Sequence, residues 1–170
     1  MMKVVINDAN ILIDLVKLKL IEHFSKLPFE LYTTDVVYEE IIISQKKPVT
    51  LLHEQGLINI IEIEESSKDY NGIYNLLIKS NGLSFEDCSV WFYSKQKQGT
   101  LLTGDGLLRK CASKDEIEVR GIIYVFDELV KYNIIDHETA IKKIKELYSF
   151  NTRLPKKEID YRINLWSKIV

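Results

Sequence analysis

Short hydrophobic runs alternate with longer amphipathic stretches along the chain, and this alternation predicts strands separated by helices. Residues 4–6 form a β-branched run that is typical of a fully buried strand. Similar runs predict further strands over residues 31–33, 58–63, 100–103 and 122–125. Because the intervening stretches are long enough for helical crossovers, we expect parallel pairing. The pattern therefore predicts an α/β protein with three α/β/α layers and a central parallel sheet.

Capping residues indicate where the helices begin and end. A first helix follows from Ile11, and Thr34 or Asp35 is the expected N-cap of a helix through residue 42. Pro48 is expected to open a short helix that Gly56 ends. Periodicity predicts the remaining helices over residues 67–79, 85–97, 107–112, 127–132 and 138–148, with a last one after residue 155.

The composition fits one folded domain. The chain has 170 residues, of which 46% are hydrophobic and 28% are charged. We expect residues 1–150 to form that domain and residues 151–170 to form a C-terminal helical extension. Residues 137–170 carry eight Lys or Arg against four Asp or Glu, which is typical of a solvated face and also compatible with an RNA-facing or partner-facing helix.

Net charge and cysteine content restrict the function and the compartment. A net charge of −2 gives no global basic field, yet it permits an enzyme with a local basic rim. Cys88 and Cys111 lack metal-type spacing, so we interpret them as buried thiols in a reducing environment. No stretch approaches the roughly 20 apolar residues of a membrane span, and we expect a cytoplasmic protein without a membrane partner.

Carboxylates occur where the predicted strands end. They are Asp8 after the first strand, Glu39 and Glu40 after the second, Asp87 one turn into the helix from residue 84, and Asp105 after the strand 100–103. Ligands bind outside the carboxyl ends of parallel strands, so these side chains are candidates for one shared site. Gathered carboxylates repel one another unless a cation is present, and Mg²⁺ and Mn²⁺ prefer such oxygen ligands. The chemistry that most often requires this arrangement is phosphodiester cleavage.

Each acid also has a purely structural interpretation. Asp8 can cap the following helix, and Asp87 lies three residues after Ser84, as in a capping box. Asp105 lies in a Thr-Gly-Asp-Gly segment that is typical of a turn. Glu39 and Glu40 alone are typical of solvent-facing helix positions. The metal-site hypothesis therefore depends on the acids taken together.

Several other enzyme classes lack their required motifs here. The three histidines, His23, His53 and His137, lie outside the acidic segments, which argues against a histidine-based nuclease. The sequence contains no Gly-x-Ser-x-Gly elbow, no phosphate-binding Gly-x-x-x-x-Gly-Lys loop and no Gly-x-Gly-x-x-Gly after the first strand.

Four motifs in sequence resemble those of the PIN-domain ribonucleases, a family that includes the VapC-type toxins. They are Val-Val-Ile-Asn-Asp8-Ala-Asn10, Tyr-Glu-Glu40-Ile41, Leu-Ser84-Phe-Glu-Asp87-Cys and Leu-Leu-Thr103-Gly-Asp105-Gly. The resemblance covers residues 3–135, and the segment 119–125 resembles the strand that closes the family's sheet.

The resemblance implies Mg²⁺- or Mn²⁺-dependent cleavage of single-stranded RNA. It assigns the catalytic metal-ligand role to Asp8, Glu40, Asp87 and Asp105. It assigns supporting roles to Asn10, Thr103 and Ser84. Glu40 is preferred over Glu39 because an aliphatic residue follows it, as in the family's motif.

The resemblance also implies protein partners. Many members of the family form homodimers, and many toxins of the family are inhibited by an antitoxin that covers the acidic pocket. The aromatic run 91–93 is interpreted as core, with a partner interface as the alternative. The segment Arg153-Leu-Pro155 with its following helix resembles a tail of some PIN-like proteins, which leaves the toxin role open.

Two alternative functions remain open from the sequence. One is a catalytically silent PIN-like module that binds RNA or a protein. The other is a haloacid-dehalogenase-like phosphatase, in which Asp8 is the nucleophile and residues 103–106 form a late motif. That mechanism needs a second Asp two residues after the first, where this chain has Asn10.

Overall fold

A computed structural model describes residues 2–169, and their strands form one five-stranded, entirely parallel sheet. The strands are β1 (Lys3–Asn7), β2 (Phe29–Thr34), β3 (Asn59–Ile61), β4 (Thr100–Leu102) and β5 (Val119–Arg120). Their order is β3-β2-β1-β4-β5, so the chain first builds outward on one side of β1 and then crosses to the other. This confirms the predicted α/β fold with a central parallel sheet.

Helices cover both faces of the sheet. They are α1 (Ala9–Lys17), α2 (Ile21–Phe24), α3 (Asp35–Glu40), α4 (Ile43–Glu54), α5 (Lys68–Lys79), α6 (Phe85–Gln96), α7 (Gly106–Ser113), α8 (Ile122–Lys131), α9 (His137–Phe150) and α10 (Lys156–Ser167). Because successive strand side chains point to opposite faces, Val5 packs in one hydrophobic cluster and Ile6 in the other. The first cluster includes α1, α8, α9 and α10, and the second includes α5, α6 and α7.

The prediction of a last strand over residues 122–125 is wrong. These residues form the first turn of α8, and the closing strand is the two-residue β5 just before Gly121. Ile122, Val125, Phe126 and Leu129 are all buried, and their spacing of three and four residues is the period of a helix. The helix therefore begins five residues before the predicted position of 127.

Two helix boundaries and one strand also differ from the predictions. Pro48 lies inside α4 instead of opening it, and the main-chain carbonyl that loses its partner belongs to Ser44, an exposed residue. Helix α3 ends at Glu40, because Ile41 is extended. Strand β3 stops at Ile61, after which the chain leaves the sheet.

The C-terminal segment is packed tightly against the rest of the molecule. Ile159 and Trp166 of α10 are 2% and 3% exposed and belong to the first hydrophobic cluster. The Asn151 amide donates to Asp14 Oδ2 at 3.0 Å, which fixes the segment between α9 and α10 to α1. No helix within residues 2–169 is both long enough and apolar enough to cross a membrane.

The docking of α10 gives a stability prediction. Trp166→Ala removes a buried aromatic side chain and should lower the free energy of unfolding by about 3–5 kcal/mol. Leu165→Ala is the control, since the neighbouring side chain is 43% exposed and should change it by less than about 1 kcal/mol. Urea unfolding followed by far-ultraviolet circular dichroism measures both. Equal effects of the two substitutions would show that α10 is not part of the cooperative fold.

Candidate metal centre

The ends of β1 and β4 lie side by side at the point where the strand order reverses. Asn7 pairs with Leu102, and the amide of Asp8 donates to the Leu102 carbonyl at 3.0 Å. Asp8 and Thr103 therefore leave the sheet together at the edge where open parallel sheets bind ligands.

Asp8 is a buried carboxylate with a fixed orientation. It is 3% exposed, and its Oδ1 accepts a hydrogen bond from the Ala9 amide at 2.8 Å. Its Oδ2 accepts from Asn10 Nδ2 at 2.8 Å and from Thr103 Oγ1 at 2.6 Å. Asp8 is also the N-cap of α1, so its structural interpretation is correct. The three donors hold the carboxylate plane in one position.

The loop after β4 is tied to the same carboxylate. Thr103 Oγ1 accepts from the Asp105 amide at 3.0 Å, and Asn10 Oδ1 accepts from the Gly104 amide at 2.9 Å. A Cβ atom on Gly104 would lie 3.3 Å from Asn10 Oδ1, so a larger residue there would press on this contact. Asn10 and Thr103 thus connect Asp8 to Asp105.

The two glutamates at the end of α3 have different surroundings. Glu39 is 71% exposed and accepts a hydrogen bond from Lys46 Nζ at 2.7 Å. Glu40 is also an exposed residue, yet desolvation of its carboxyl, together with the charges of Glu86, Asp8 and Asp87, raises the pKa of Glu40 to about 7. Of the two glutamates, Glu40 is therefore the one that belongs to the acidic group.

Asp87 combines a capping role with a place in the acidic group. Ser84 Oγ accepts from the Asp87 amide, and Asp87 Oδ2 accepts from the Ser84 amide, both at 3.0 Å. This reciprocal pair is a complete capping box at the start of α6. The charge of Asp87 nevertheless reaches Asp8 and Glu40 and raises the pKa of both. Asp87 is therefore both part of the capping box and a member of the acidic group.

Asp105 lies at the rim of the group. Its Oδ1 accepts from the Leu108 amide at 2.7 Å and caps α7, and the residue is exposed. Its charge is not among those that raise the pKa of Asp8 or Glu40. Its link to Asp8 runs through Thr103. The charges of Asp8, Glu40 and Asp87 thus act on one another, and Asp105 is linked to Asp8 through Thr103.

Glu86 is a member of the acidic group that the sequence interpretation did not include. It is partly buried in the first turn of α6, and its charge affects the Glu40 pKa more than that of Asp8 or Asp87. Its carbonyl accepts from Ser89 Oγ, which also contacts Thr34 Oγ1 at 2.8 Å. Thr34 caps α3, so this contact ties together the two helices that carry the glutamates. The signal in the sequence that could identify Glu86 is its position next to Asp87.

The acidic group has no compensating cation. Within residues 2–169, none of its members forms an ion pair with Lys, Arg or His. Burial and the charge of Asp87 raise the pKa of Asp8 to about 6 even though three hydrogen bonds oppose the shift. Uncompensated carboxylate oxygens are the donor set that a hard divalent cation prefers, so the residues fit Mg²⁺ or Mn²⁺.

The carboxylates are close enough to affect one another without forming a finished coordination shell. In the described part of the chain, no three His, Cys, Asp or Glu side chains are already arranged to hold a metal ion. Coordination by three of them would therefore require side-chain rotation. Glu40 is suited to this because no side-chain hydrogen bond holds it among the described contacts, whereas Asp8 is held by three.

Comparison with known families identifies the fold. No curated protein matches the sequence. The profile of a family described as PIN domain (DUF3368) matches residues 4–168, a range that contains all members of the acidic group and α10. PIN domains have a nuclease-type fold, are commonly nucleases and typically use divalent metals. With nearly the whole length matched, the chain belongs to the PIN-domain family.

Proposed function

We propose that the protein is a metal-dependent endoribonuclease that hydrolyses phosphodiester bonds of single-stranded RNA. The observation that carries this proposal is a set of like-charged carboxylates, without a cationic partner, at the point where the strand order of a PIN domain reverses. Holding such charges together is unfavourable for folding, which is typical of a site selected for chemistry.

Asp8, Glu40, Asp87 and Asp105 are the residues that would hold Mg²⁺ or Mn²⁺. When bound, the ion would activate water and neutralise charge on the attacked phosphate. Asp8 supplies the fixed carboxylate, since Ala9, Asn10 and Thr103 determine its orientation. Glu40 supplies a carboxylate that can change its position, because no side-chain hydrogen bond holds it among the described contacts.

A protein partner at the acidic edge belongs to the same proposal. Ile42 and Ile43, which directly follow the Glu40 turn, are 59% and 90% exposed. An apolar rim beside an acidic group is suited to a protein that covers the group. This supports the role of a toxin with an antitoxin, or a homodimer that uses this rim. The aromatic run does not compete for that role, because Trp91 and Tyr93 are buried.

A catalytically silent module that binds RNA or protein is the second candidate. It is favoured by the use of Asp87 and Asp105 as helix caps and by the unfinished coordination geometry. A phosphatase has no such support, because Asn10 occupies the position of its general acid and bonds to Asp8 and Gly104. Divalent-metal titration separates the nuclease from the silent module.

The raised pKa of Glu40 gives a prediction for metal-free stability. Its pKa in the folded protein is about 7, above the ordinary 4.5, so ionisation of Glu40 disfavours the folded state. This penalty is absent below about pH 4.5, grows as the pH rises from there to about 7, and is constant above that. In chelator at about pH 8, Glu40→Gln should therefore raise the Tm by on the order of 1–3 °C, and the gain should vanish near pH 4.

The matched control is Glu39→Gln, the same change on the preceding residue. It removes an exposed ion pair with Lys46 and should leave the Tm unchanged or slightly lower. Millimolar Mn²⁺ should raise the Tm of the wild type and the control, and raise that of Glu40→Gln less. Absence of any Mn²⁺ effect in the wild type would exclude the metal site and leave the silent module.

Cleavage activity should separate the two roles of Asp87. Asp87→Asn keeps an oxygen that can accept from the Ser84 amide, but it removes the charge. It should lower cleavage of a fluorescent single-stranded RNA in Mn²⁺ by about a hundredfold or more. Ser84→Ala should lower stability by about 1 kcal/mol and change the cleavage rate little.

Two results would contradict the separate roles given to Asp87 and its cap, and a third would contradict the nuclease proposal itself. Cleavage by Asp87→Asn at the wild-type rate would show that the carboxylate is only a cap. Loss of cleavage in folded Ser84→Ala would show that the cap itself is required. Hydrolysis of a generic phosphate monoester with no RNA cleavage would favour the phosphatase.

A further inference from the structure

We infer that a cleft beside the acidic group binds the RNA strand next to the scissile phosphate, and that Arg153 contacts an RNA phosphate there. This inference rests on the proposed nuclease function. It gives the C-terminal segment a role in substrate binding, in addition to its role in the hydrophobic core.

The cleft begins at the candidate metal centre. Asn10, Thr103 and Asp105 line one end of it. Asn10 and Thr103 donate hydrogen bonds to Asp8, and the Asp105 amide donates to Thr103. From there it runs between the start of α8 and the segment after α9, with a volume of about 680 Å³. This volume lies within the usual range of ligand sites, about 300–1,000 Å³. An RNA strand that is cleaved at the acidic group would extend from there either along this cleft or in the opposite direction.

Arginine side chains dominate the cationic lining, and two of them are already neutralised. Arg162 pairs with Asp127 at 2.9 Å and also with Glu158. Arg120 pairs with Glu118 at 2.9 Å. Neither pair leaves a full positive charge for a ligand.

The two remaining arginines, Arg109 and Arg153, form no ion pair within residues 2–169. Arg109 donates to the carbonyls of Thr103 and Val119, both at 3.1 Å. Carbonyls fix a guanidinium without cancelling its charge, and donors remain because a guanidinium has five. Arg109 therefore gives the cleft a stationary positive charge.

Arg153 is the exposed cation on the opposite wall. It lies between α9 and α10, in a segment anchored by Asn151 to Asp14. Asp14 also lines the cleft, where burial raises the pKa of its carboxyl and the charge of Arg153 opposes that shift. The Arg153 side chain is exposed, and a guanidinium is well suited to binding a phosphate.

The backbone at the start of α8 adds to the preference for an anion. The N-cap is Gly121, which has no capping side chain, and the first turn of α8 contains no acidic residue. A Cβ atom on Gly121 would lie 3.4 Å from Arg109 Nη2, so this helix end and the guanidinium are adjacent. Helix N-termini favour negative ligands. The cleft thus has an acidic end suited to a metal ion and, in its interior, two guanidiniums that form no ion pair within residues 2–169, with Asp14 as a carboxylate between its walls.

The test is RNA binding without cleavage. A labelled oligouridylate of about ten nucleotides is titrated with protein in chelator, and fluorescence anisotropy is measured over a range of salt concentrations. Arg153→Gln should weaken binding roughly threefold to tenfold at low salt, and it should reduce the salt slope by about 0.7, the value for one phosphate contact on a single strand. Lys157→Gln is the control, because Lys157 is also exposed but lies outside the cleft lining.

Cleavage kinetics give a second readout. Arg153→Gln should raise KM by a similar factor and leave kcat unchanged, as expected for a contact made equally in the ground state and the transition state. If Arg153→Gln behaves like Lys157→Gln in affinity and salt slope, the cleft inference is wrong, while the nuclease proposal stands on the Asp87 results. If the wild type neither binds nor cleaves RNA, both are wrong.

Discussion

The parallel pairing of β1 with β4 is the constraint on which the candidate site depends. It joins the two halves of the chain at the centre of the sheet and places Asp8 beside Thr103, 95 residues later. The hydrogen bond from the Asp8 amide to Leu102 extends this pairing beyond the end of the strand. Glu86 and Asp87 are then held in the first turn of α6, Asp105 is linked to Asp8 through Thr103, and Glu40 ends α3.

The same carboxylates serve the fold and the proposed chemistry. Asp8, Asp87 and Asp105 each accept a hydrogen bond from the backbone of a helix N-terminus with one oxygen, so the site is assembled from groups that the fold needs in any case. Helix N-termini stabilise negative charge, which offsets part of the repulsion between the acids. Glu40 has no such partner, and this is consistent with its strongly raised pKa. The unfavourable electrostatic free energy of the site is therefore largest at Glu40.

Local signals predicted much of this structure, and tertiary contacts decided the rest. The β1 run and the Ser84 cap were evident because β-branched clusters and capping boxes are short-range patterns. The run 122–125 was assigned to a strand because four apolar residues contain no period, and Phe126 and Leu129 had to be included to reveal a helix. The distinction between Glu39 and Glu40 depends on Lys46, seven residues from Glu39, and the contribution of Glu86 depends on the packing of α6 against α3.

The contact between Thr34 and Ser89 bears on which ions the protein would discriminate. It joins the N-terminal ends of α3 and α6 through two buried hydroxyl groups, so the backbones that carry Glu40 and Asp87 have little freedom to spread. Ca²⁺ takes about six to eight oxygens at longer distances, whereas Mg²⁺ takes about six at shorter ones. On the proposed function, a site carried by two helices joined in this way would suit the smaller ion better. Selectivity against calcium would thus originate in a hydroxyl pair that no ion touches.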